Sequence, residues 1–275
     1  MYDDVLIATD GSDVATTAAT VGSSLARTLE ADVHALSVVE DRRDNAARRS
    51  RREADAESIA AAAGDAGCDA DSIVRTGRPA TEILSYADEA GVDVIVVGTH
   101  GRTGLKQTLL GSVALEVIRD AHRPVLSVGP NATSGDEPEV DDVLLATDGW
   151  SGSRAATDHA IGIADACDAG LHALYAVDVS TDVPEQRNAF EEHGEQTTTA
   201  VADRAGDRGV ETRRTVASGS PAEVVLDYVD DEDVDLLVMG TESKTNLERL
   251  VVGSVSQRVV PKAGVPVLTV RTIDE

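Results

Sequence analysis

Four residues in one short stretch have the types and spacing to hold an anion. In VDVIVVGTHGRTGLKQTLLGSVALEVI, residues 92–118, Gly98 ends an apolar run and Gly101 follows closely. Ten residues further on, Gly111 and Ser112 open a helical pattern. A glycine at 98 lets a ligand lie against the backbone, and one at 101 can take a positive φ and turn the chain. A helix start at 111–112 offers free N–H groups and the positive end of the helix dipole, joined by the Ser112 hydroxyl. From Val94 to Leu115, 22 residues carry no Asp or Glu but do carry His100, Arg102 and Lys106. The chemistry expected there is phosphate binding, with Arg102 and Lys106 as contacts and Arg78 as a weaker one.

The commoner phosphate loops do not fit. The chain has no Gly-Lys pair for a P-loop and no G-x-G-x-x-G dinucleotide fingerprint. No paired-histidine signature of nucleotidyl transfer and no Ser/His/Asp arrangement is legible, and no acid lies in the glycine loop. The six histidines and two cysteines have no metal-ligand spacing. Cys68 and Cys167 are expected to be small buried thiols, not a disulfide framework.

Elements that could position this loop recur twice. VLIATDGSDVATTAA from Val5 returns as VLLATDGWSGSRAAT from Val143. GRPATEILSYADEAGVDVIVVGT from Gly77 returns as GSPAEVVLDYVDDEDVDLLVMGT from Gly219, and HRPVLSV from His122 as GVPVLTV from Gly264. Between the copies lies GPNATSGDEPEVDD, a linker by composition. Two domains are expected, 1–132 and 139–275. Each alternates short apolar runs with helical patterns. In the first, strands at 5–8, 33–39, 72–76, 94–97 and 125–128 alternate with helices at 12–29, 48–64, 79–90 and 111–119. That alternation means an α/β fold with an open parallel sheet and helices on both faces. Ligands of such sheets sit beyond the carboxyl ends of the strands, where the glycine loop and the turn after the first strand converge.

Composition narrows the function. With 50 acidic and 24 basic residues the formal net charge is −26, which repels nucleic acid and anionic membranes. Acids spread through periodic segments point to a halophilic cytoplasm, where salt screens the repulsion. The run Arg42, Arg43, Arg48, Arg49, Arg51 and Arg52 is offset by neighbouring acids and carries no aromatic, so it reads as a solvated helix start. No apolar run is long enough to span a bilayer, and the N-terminus enters a strand without a signal-peptide pattern.

The stretch resembles the nucleotide-binding motif of the universal stress protein family, G-x2-G-x9-G-[S/T], met by Gly98, Gly101, Gly111 and Ser112. The resemblance extends to Asp10-Gly11-Ser12, to Gly77-x-Pro79-Ala80 and to Pro124-Val125-Leu126-x-Val128, and it covers nearly the whole chain twice. It implies two Rossmann-like five-stranded parallel sheets in order 3-2-1-4-5. It also implies pairing through the last strand, as a pseudo-dimer of the two domains or as a homodimer. By the same resemblance the ligand is ATP or another adenine nucleotide, with Mg²⁺ or Mn²⁺ left open. Phosphates would lie on Gly98, Thr99, His100, Gly101, Arg102, Gly111 and Ser112, and on the helix-start amides of Val113 and Ala114. Adenosine would lie near Thr9, Asp10 and Val38, with Asp10 also serving as a helix cap.

The second copy keeps Gly240, Gly253 and Ser254, with Asp148 matching Asp10, and has Ser243 at the second glycine and Glu242 where the first has His100. A weaker second site would take in Asp148, Ala176, Gly240, Ser243, Gly253, Ser254, Val255 and Ser256. If that position needs φ > 0, serine adds about 1 kcal/mol of strain. Glu242 and Glu248 bring negative charge, which Lys244 and Ser256 partly offset. The expectation is a cytoplasmic ATP-binding stress-response protein, regulatory, with nucleotide held mainly in the first domain and no named protein partner. Two alternatives stay open: a slow ATPase, and an interaction module of the same fold that binds no nucleotide.

Overall fold

The computed structural model describes residues 2–40, 46–101, 110–130, 132, 139–178, 184–241 and 253–271. The chain divides into two compact units, Met1–Glu139 and Val140–Glu275.

In the first unit, β1 (Asp4–Thr9), α1 (Asp13–Leu29), β2 (Asp32–Val39), α2 (Ala46–Asp65), β3 (Ala70–Thr76), α3 (Pro79–Ala90), β4 (Val94–Gly98), α4 (Ser112–Asp120) and β5 (Val125–Val128) follow in order. The strands lie β3-β2-β1-β4-β5, each pair parallel. The second unit repeats this with β6 (Asp142–Ala146), α5 (Ser151–Cys167), β7 (Gly170–Val177), α6 (Pro184–Gly206), β8 (Thr212–Ser218), α7 (Pro221–Asp231), β9 (Leu236–Gly240), α8 (Ser254–Val259) and β10 (Val267–Val270). Its order is β8-β7-β6-β9-β10, again parallel. Each unit thus has the expected α/β architecture and the expected strand order.

The central strands read as unbroken apolar runs because helices cover both faces. Val5, Leu6 and Ile7 on β1 and Val94, Ile95 and Val96 on β4 are buried completely or nearly so. With aromatics at 2% of the chain, the core is built from Val, Ile, Leu and Ala. Small residues bring the helices close: a Cβ added to Gly22 would lie 3.1 Å from Ile7 Cδ1 and 3.2 Å from Val96. Helix starts follow local chemistry. Ser12 caps α1 by accepting from the Ala15 amide, and Pro79 and Pro221 begin α3 and α7, where no N–H is needed.

The amino ends of the strands, away from the glycine loop, carry a polar network repeated in both units. Asp93 accepts from the amides of Asp3 and Asp4, as Asp235 does from those of Asp141 and Asp142. His34 lies between Asp4 (3.0 Å) and the Tyr86 hydroxyl (2.7 Å), and His172 between Asp142 (3.0 Å) and that of Tyr228 (3.1 Å). Among the described residues, no helix is long and apolar enough to cross a membrane.

Candidate functional site

At the carboxyl end of β1 the chain makes a tight turn into α1. Thr9 Oγ1 accepts from the Gly11 amide (3.0 Å), Asp10 Oδ1 from the Ser12 amide (3.0 Å), and Ser12 Oγ from the Ala15 amide (3.3 Å). Gly11 carries φ +68°, which the turn requires and a Cβ would oppose. The buried Ser37 hydroxyl of β2 donates to the Thr9 carbonyl at 3.1 Å, fixing the turn against the strand that carries Val38.

The loop after β4 leaves and returns at one carbonyl. The Thr99 amide donates to Val128 on β5 (2.9 Å), and the Thr99 carbonyl accepts from the Gly111 amide (2.8 Å). A Cβ on Gly111 would stand 3.2 Å from that carbonyl oxygen and 3.7 Å from His100 Cα. Glycine at 111 therefore permits a backbone-to-backbone closure. The first helical bond of α4 runs from the Leu115 amide to the Gly111 carbonyl, so Ser112, Val113 and Ala114 present their amides at the open end. No side chain caps that end. His100 Nδ1 lies 2.9 Å from Thr99 Oγ1. His100 Nε2 is out of contact with solvent and has no hydrogen-bond partner among the described residues.

Two expectations about glycines are corrected. A Cβ at Gly98 would meet Val14 Cγ1 at 3.1 Å and the Val14 carbonyl at 3.3 Å. Glycine there lets the first turn of α1 close onto β4, instead of clearing backbone for a ligand. Gly101 is not left-handed; φ > 0 glycines of the first unit include Gly11, Gly67, Gly77 and Gly91. A Cβ at 101 would lie 2.8 Å from Asp10 Oδ2. The need at 101 is room for that carboxylate; Ser243 at the matching position lies outside the described residues.

The structure brings Thr9, Asp10, Thr99, His100, Gly101, Gly111 and the start of α4 to one end of the sheet. Arg102, Lys106, Glu242, Ser243, Lys244 and Glu248 lie outside the described residues. Arg78 is exposed and pairs with Glu116 at 3.3 Å. One residue that matters was hidden in the arginine run: Arg52 reaches from α2 to donate to the Asp10 carbonyl and pairs with Asp55 at 3.1 Å. Its neighbour one turn earlier, Arg49, donates to Thr76 at 2.8 Å. The 49/52 spacing on one helix face was the available signal.

In the second unit a cavity of about 220 Å³ occupies the matching place. Seven of the eight residues expected there line it, among them Asp148, Ala176, Gly253 and Ser254; Ser243 lies outside the described residues. Gly253 repeats the Gly111 closure, its amide 2.7 Å from the Thr241 carbonyl. The turn is held differently. Trp150 stands where Ser12 stood and supplies no side-chain cap, while Thr147 donates to Ser153 (3.0 Å), which donates to the Trp150 carbonyl (2.9 Å). His193 of α6 lies 3.2 Å from the Asp148 carbonyl, stacks on Trp150 and meets Tyr175 edge-on. Burial, then the charge of Asp148, raises the Tyr175 phenol above its ordinary pKa, which keeps it protonated. The Ser256 hydroxyl, expected to aid an anion, donates to the Gly240 carbonyl at 3.2 Å.

A second cavity, about 730 Å³ between α1 and α2, touches the candidate site only at Thr9 and Gly11. Both cysteines are free thiols, and burial raises that of Cys167 to about 11. Among the described residues no group of three or more His, Cys, Asp or Glu could hold a metal ion.

Comparison with known proteins agrees with this fold. Residues 1–129 and 139–271 each match the model of the universal stress protein family. A universal stress protein of Methanocaldococcus jannaschii is 36% identical over 137 residues, taking in 47% of this chain and 81% of that protein. One of Mycolicibacterium smegmatis is 32% identical over 188 residues, 65% of this chain. That match takes in 61% of the relative, so the chain spans less than two thirds of its length. A crystal structure of a universal stress protein from Archaeoglobus fulgidus superposes with a TM-score of 0.74 over 98% of both chains, at 20% identity. That likeness is one of fold.

Proposed function

Starting from a chain that belongs to the universal stress protein family, we propose that its first unit binds ATP or another adenine nucleotide and that the bound state regulates other proteins in a cytoplasmic stress response. The observation that carries this reading is His100 Nε2, buried without a hydrogen-bond partner among the described residues, beside the open start of α4. A buried polar nitrogen without a partner is costly, and a ligand oxygen would satisfy it. The amides of Ser112, Val113 and Ala114 add the positive end of a nine-residue helix. Arg52 contributes a guanidinium to the turn that carries Asp10. Phosphates would lie between Gly101, Gly111 and Ser112, with Arg102 and Lys106 of the loop supplying charge. Adenosine would lie toward Thr9, Asp10 and Val38. A Mg²⁺ or Mn²⁺ ion, if bound, would be held mainly by the phosphates, as such ions usually are.

The second unit would bind ATP at least tenfold more weakly. Its loop, residues 240–253, carries Glu242 and Glu248 against Lys244 and Arg249, whereas residues 98–111 carry Arg102 and Lys106 and no acid. Binding without rapid turnover is the reading, because no carboxylate lies in the first loop to activate water.

Native mass spectrometry of protein purified in molar KCl should show co-purified adenine nucleotide, and calorimetry should show ATP binding that Ser112→Ala weakens by about 1–2 kcal/mol. Unchanged affinity in a folded Ser112→Ala chain would refute the site. Phosphate release at more than a trace rate would favour the ATPase alternative.

A further inference from the structure

The cavity between α1 and α2 has a lining of its own chemistry, and the second unit closes its counterpart. We propose that this cavity binds a small uncharged polyhydroxyl compound, a sugar or polyol, independently of the nucleotide. Its volume of about 730 Å³ falls within the roughly 300–1,000 Å³ of small-molecule sites.

The lining is rich in hydroxyls: Thr16, Thr20, Ser23 and Ser24 from α1 and Ser58 from α2. The Thr16 and Thr20 hydroxyls donate to carbonyls one turn back, those of Ser12 and Thr16, at 3.2 Å each. Their oxygen lone pairs are left as acceptors. Ser23 is 8% exposed, and its hydroxyl has no hydrogen-bond partner among the described residues. A buried hydroxyl in that state is costly, and a ligand hydroxyl can both donate to it and accept from it. Charge favours a neutral ligand, because Asp55 and Asp65 oppose an anion and Arg27 opposes a cation. No aromatic ring lines the cavity for a base to stack on.

The second unit carries different residues at the same places. Helices α2 and α6 end alike: the Cys68 amide donates to the Ala63 carbonyl and the Val210 amide to the Ala205 carbonyl, both at 3.0 Å. In that register Arg204 stands for Ala62, while on α5 Asp158 stands for Thr20 and Ile161 for Ser23. Arg204 and Asp158 form an ion pair that ties α6 to α5. Ile161 is 2% exposed. Where the second unit has an ion pair between helices, the first has a methyl group and a hydroxyl. Where the second packs an apolar side chain, the first leaves a hydroxyl unsatisfied.

Sorbitol, trehalose and, as a zwitterionic comparison, glycine betaine are titrated into the full chain in molar KCl. Calorimetry and amide NMR shifts are the readouts, since such solutes raise melting temperatures merely by exclusion from the surface. The expected result is saturable binding of sorbitol or trehalose, with shifts centred on α1 and α2 and betaine at least tenfold weaker. Thr20→Asp with Ala62→Arg installs the second unit's ion pair and should weaken the polyol at least tenfold. Ser23→Ala, the milder variant should the double exchange disturb folding, should weaken it by about threefold or more. The ATP heat should be unchanged in both, which separates this site from the nucleotide reading. Failure of both polyols to saturate, or binding indifferent to Ser23→Ala and to the double exchange, would overturn the site. Betaine bound as tightly as the polyols would overturn the ligand class.

Discussion

In the first unit the carbonyl of Asp10 accepts from Arg52 on α2; in the second the carbonyl of Asp148 meets His193 on α6. The same turn is closed from the same helix by two different side chains. Arg52 carries a fixed positive charge to the site and pairs with Asp55. His193 instead sits in an aromatic cluster with Trp150 and Tyr175. The backbone has been kept, down to the Gly111 and Gly253 closures onto a threonine carbonyl, while the electrostatics have diverged. Backbone geometry alone therefore does not tell which unit holds a polyphosphate. The units differ instead in charge and in cavity shape.

The largest expected effect concerns salt. Residues 1–139 hold 24 acidic and 13 basic residues, and residues 140–275 hold 26 and 11, net −11 and −15. Repulsion of this size should be relieved by screening. Raising KCl from low to molar concentration should lift the melting temperature by about 10 °C or more, equivalent to a few kcal/mol. Where calorimetry resolves two transitions, the second unit should gain more. A flat profile would remove the halophilic interpretation.

Next in size is restoration of the second loop. Glu242→His with Ser243→Gly removes a negative charge and restores the first unit's residue types at both positions. ATP affinity of the second unit should rise by about tenfold, or ~1.4 kcal/mol, by calorimetry. No gain would mean that the difference between the units lies elsewhere, in the helix or the cavity.

The two closures of the turn should differ when broken. Arg52→Ala should destabilise the first unit by about 1–2 kcal/mol and weaken ATP, because the Asp10 carbonyl loses a charged donor. His193→Ala should cost about 1 kcal/mol and shift Trp150 emission through loss of stacking, with little change in ATP binding. Denaturant melts and ATP titrations of the two variants would check this. Equal effects on ATP would erase the contrast drawn between the units.

The smallest effect is one of pH. Burial lowers the pKa of His159 on α5, with Asp158 opposing, while the matching position of α1 is Val21. The folded state thus favours neutral imidazole, and the unfolded chain binds more protons at mildly acidic pH. The stability this represents is complete above the unfolded value near ~6.5 and is lost as pH falls through the lowered folded value. In molar KCl, where carboxylate repulsion is screened, the second unit should soften on acidification, and His159→Val should flatten that slope. An unchanged slope would assign the pH dependence to other groups.

Much of this architecture was legible in the sequence. The alternation of apolar runs and helical patterns gave strand and helix limits within a few residues, and the repeat placed Asp148 and Ala176 opposite Asp10 and Val38. The positions of the glycines were legible too, but their reasons were not. Gly98 answers to Val14, Gly101 to Asp10 Oδ2 and Gly111 to the Thr99 carbonyl, contacts between residues distant in sequence. Arg52 escaped notice because its run is nearly charge-balanced, which hides the guanidiniums of Arg49 and Arg52 that reach Thr76 and the Asp10 carbonyl. Ala176, which lines the cavity of the second unit, stands opposite Val38 in the repeat, a difference whose place in a cavity only the fold shows.

ATP held in the first unit at the start of α4, as proposed, would be expelled by a negative charge placed there. An aspartate at the first position of a helix suits the dipole, so Ser112→Asp and Ser254→Asp should both leave the fold intact while opposing a phosphate. ATP calorimetry on the two full-length variants in molar KCl tests the claim directly. Ser112→Asp should weaken the tighter site at least tenfold, and Ser254→Asp should change it by less than about twofold. Equal losses, or a larger loss in Ser254→Asp, would contradict it.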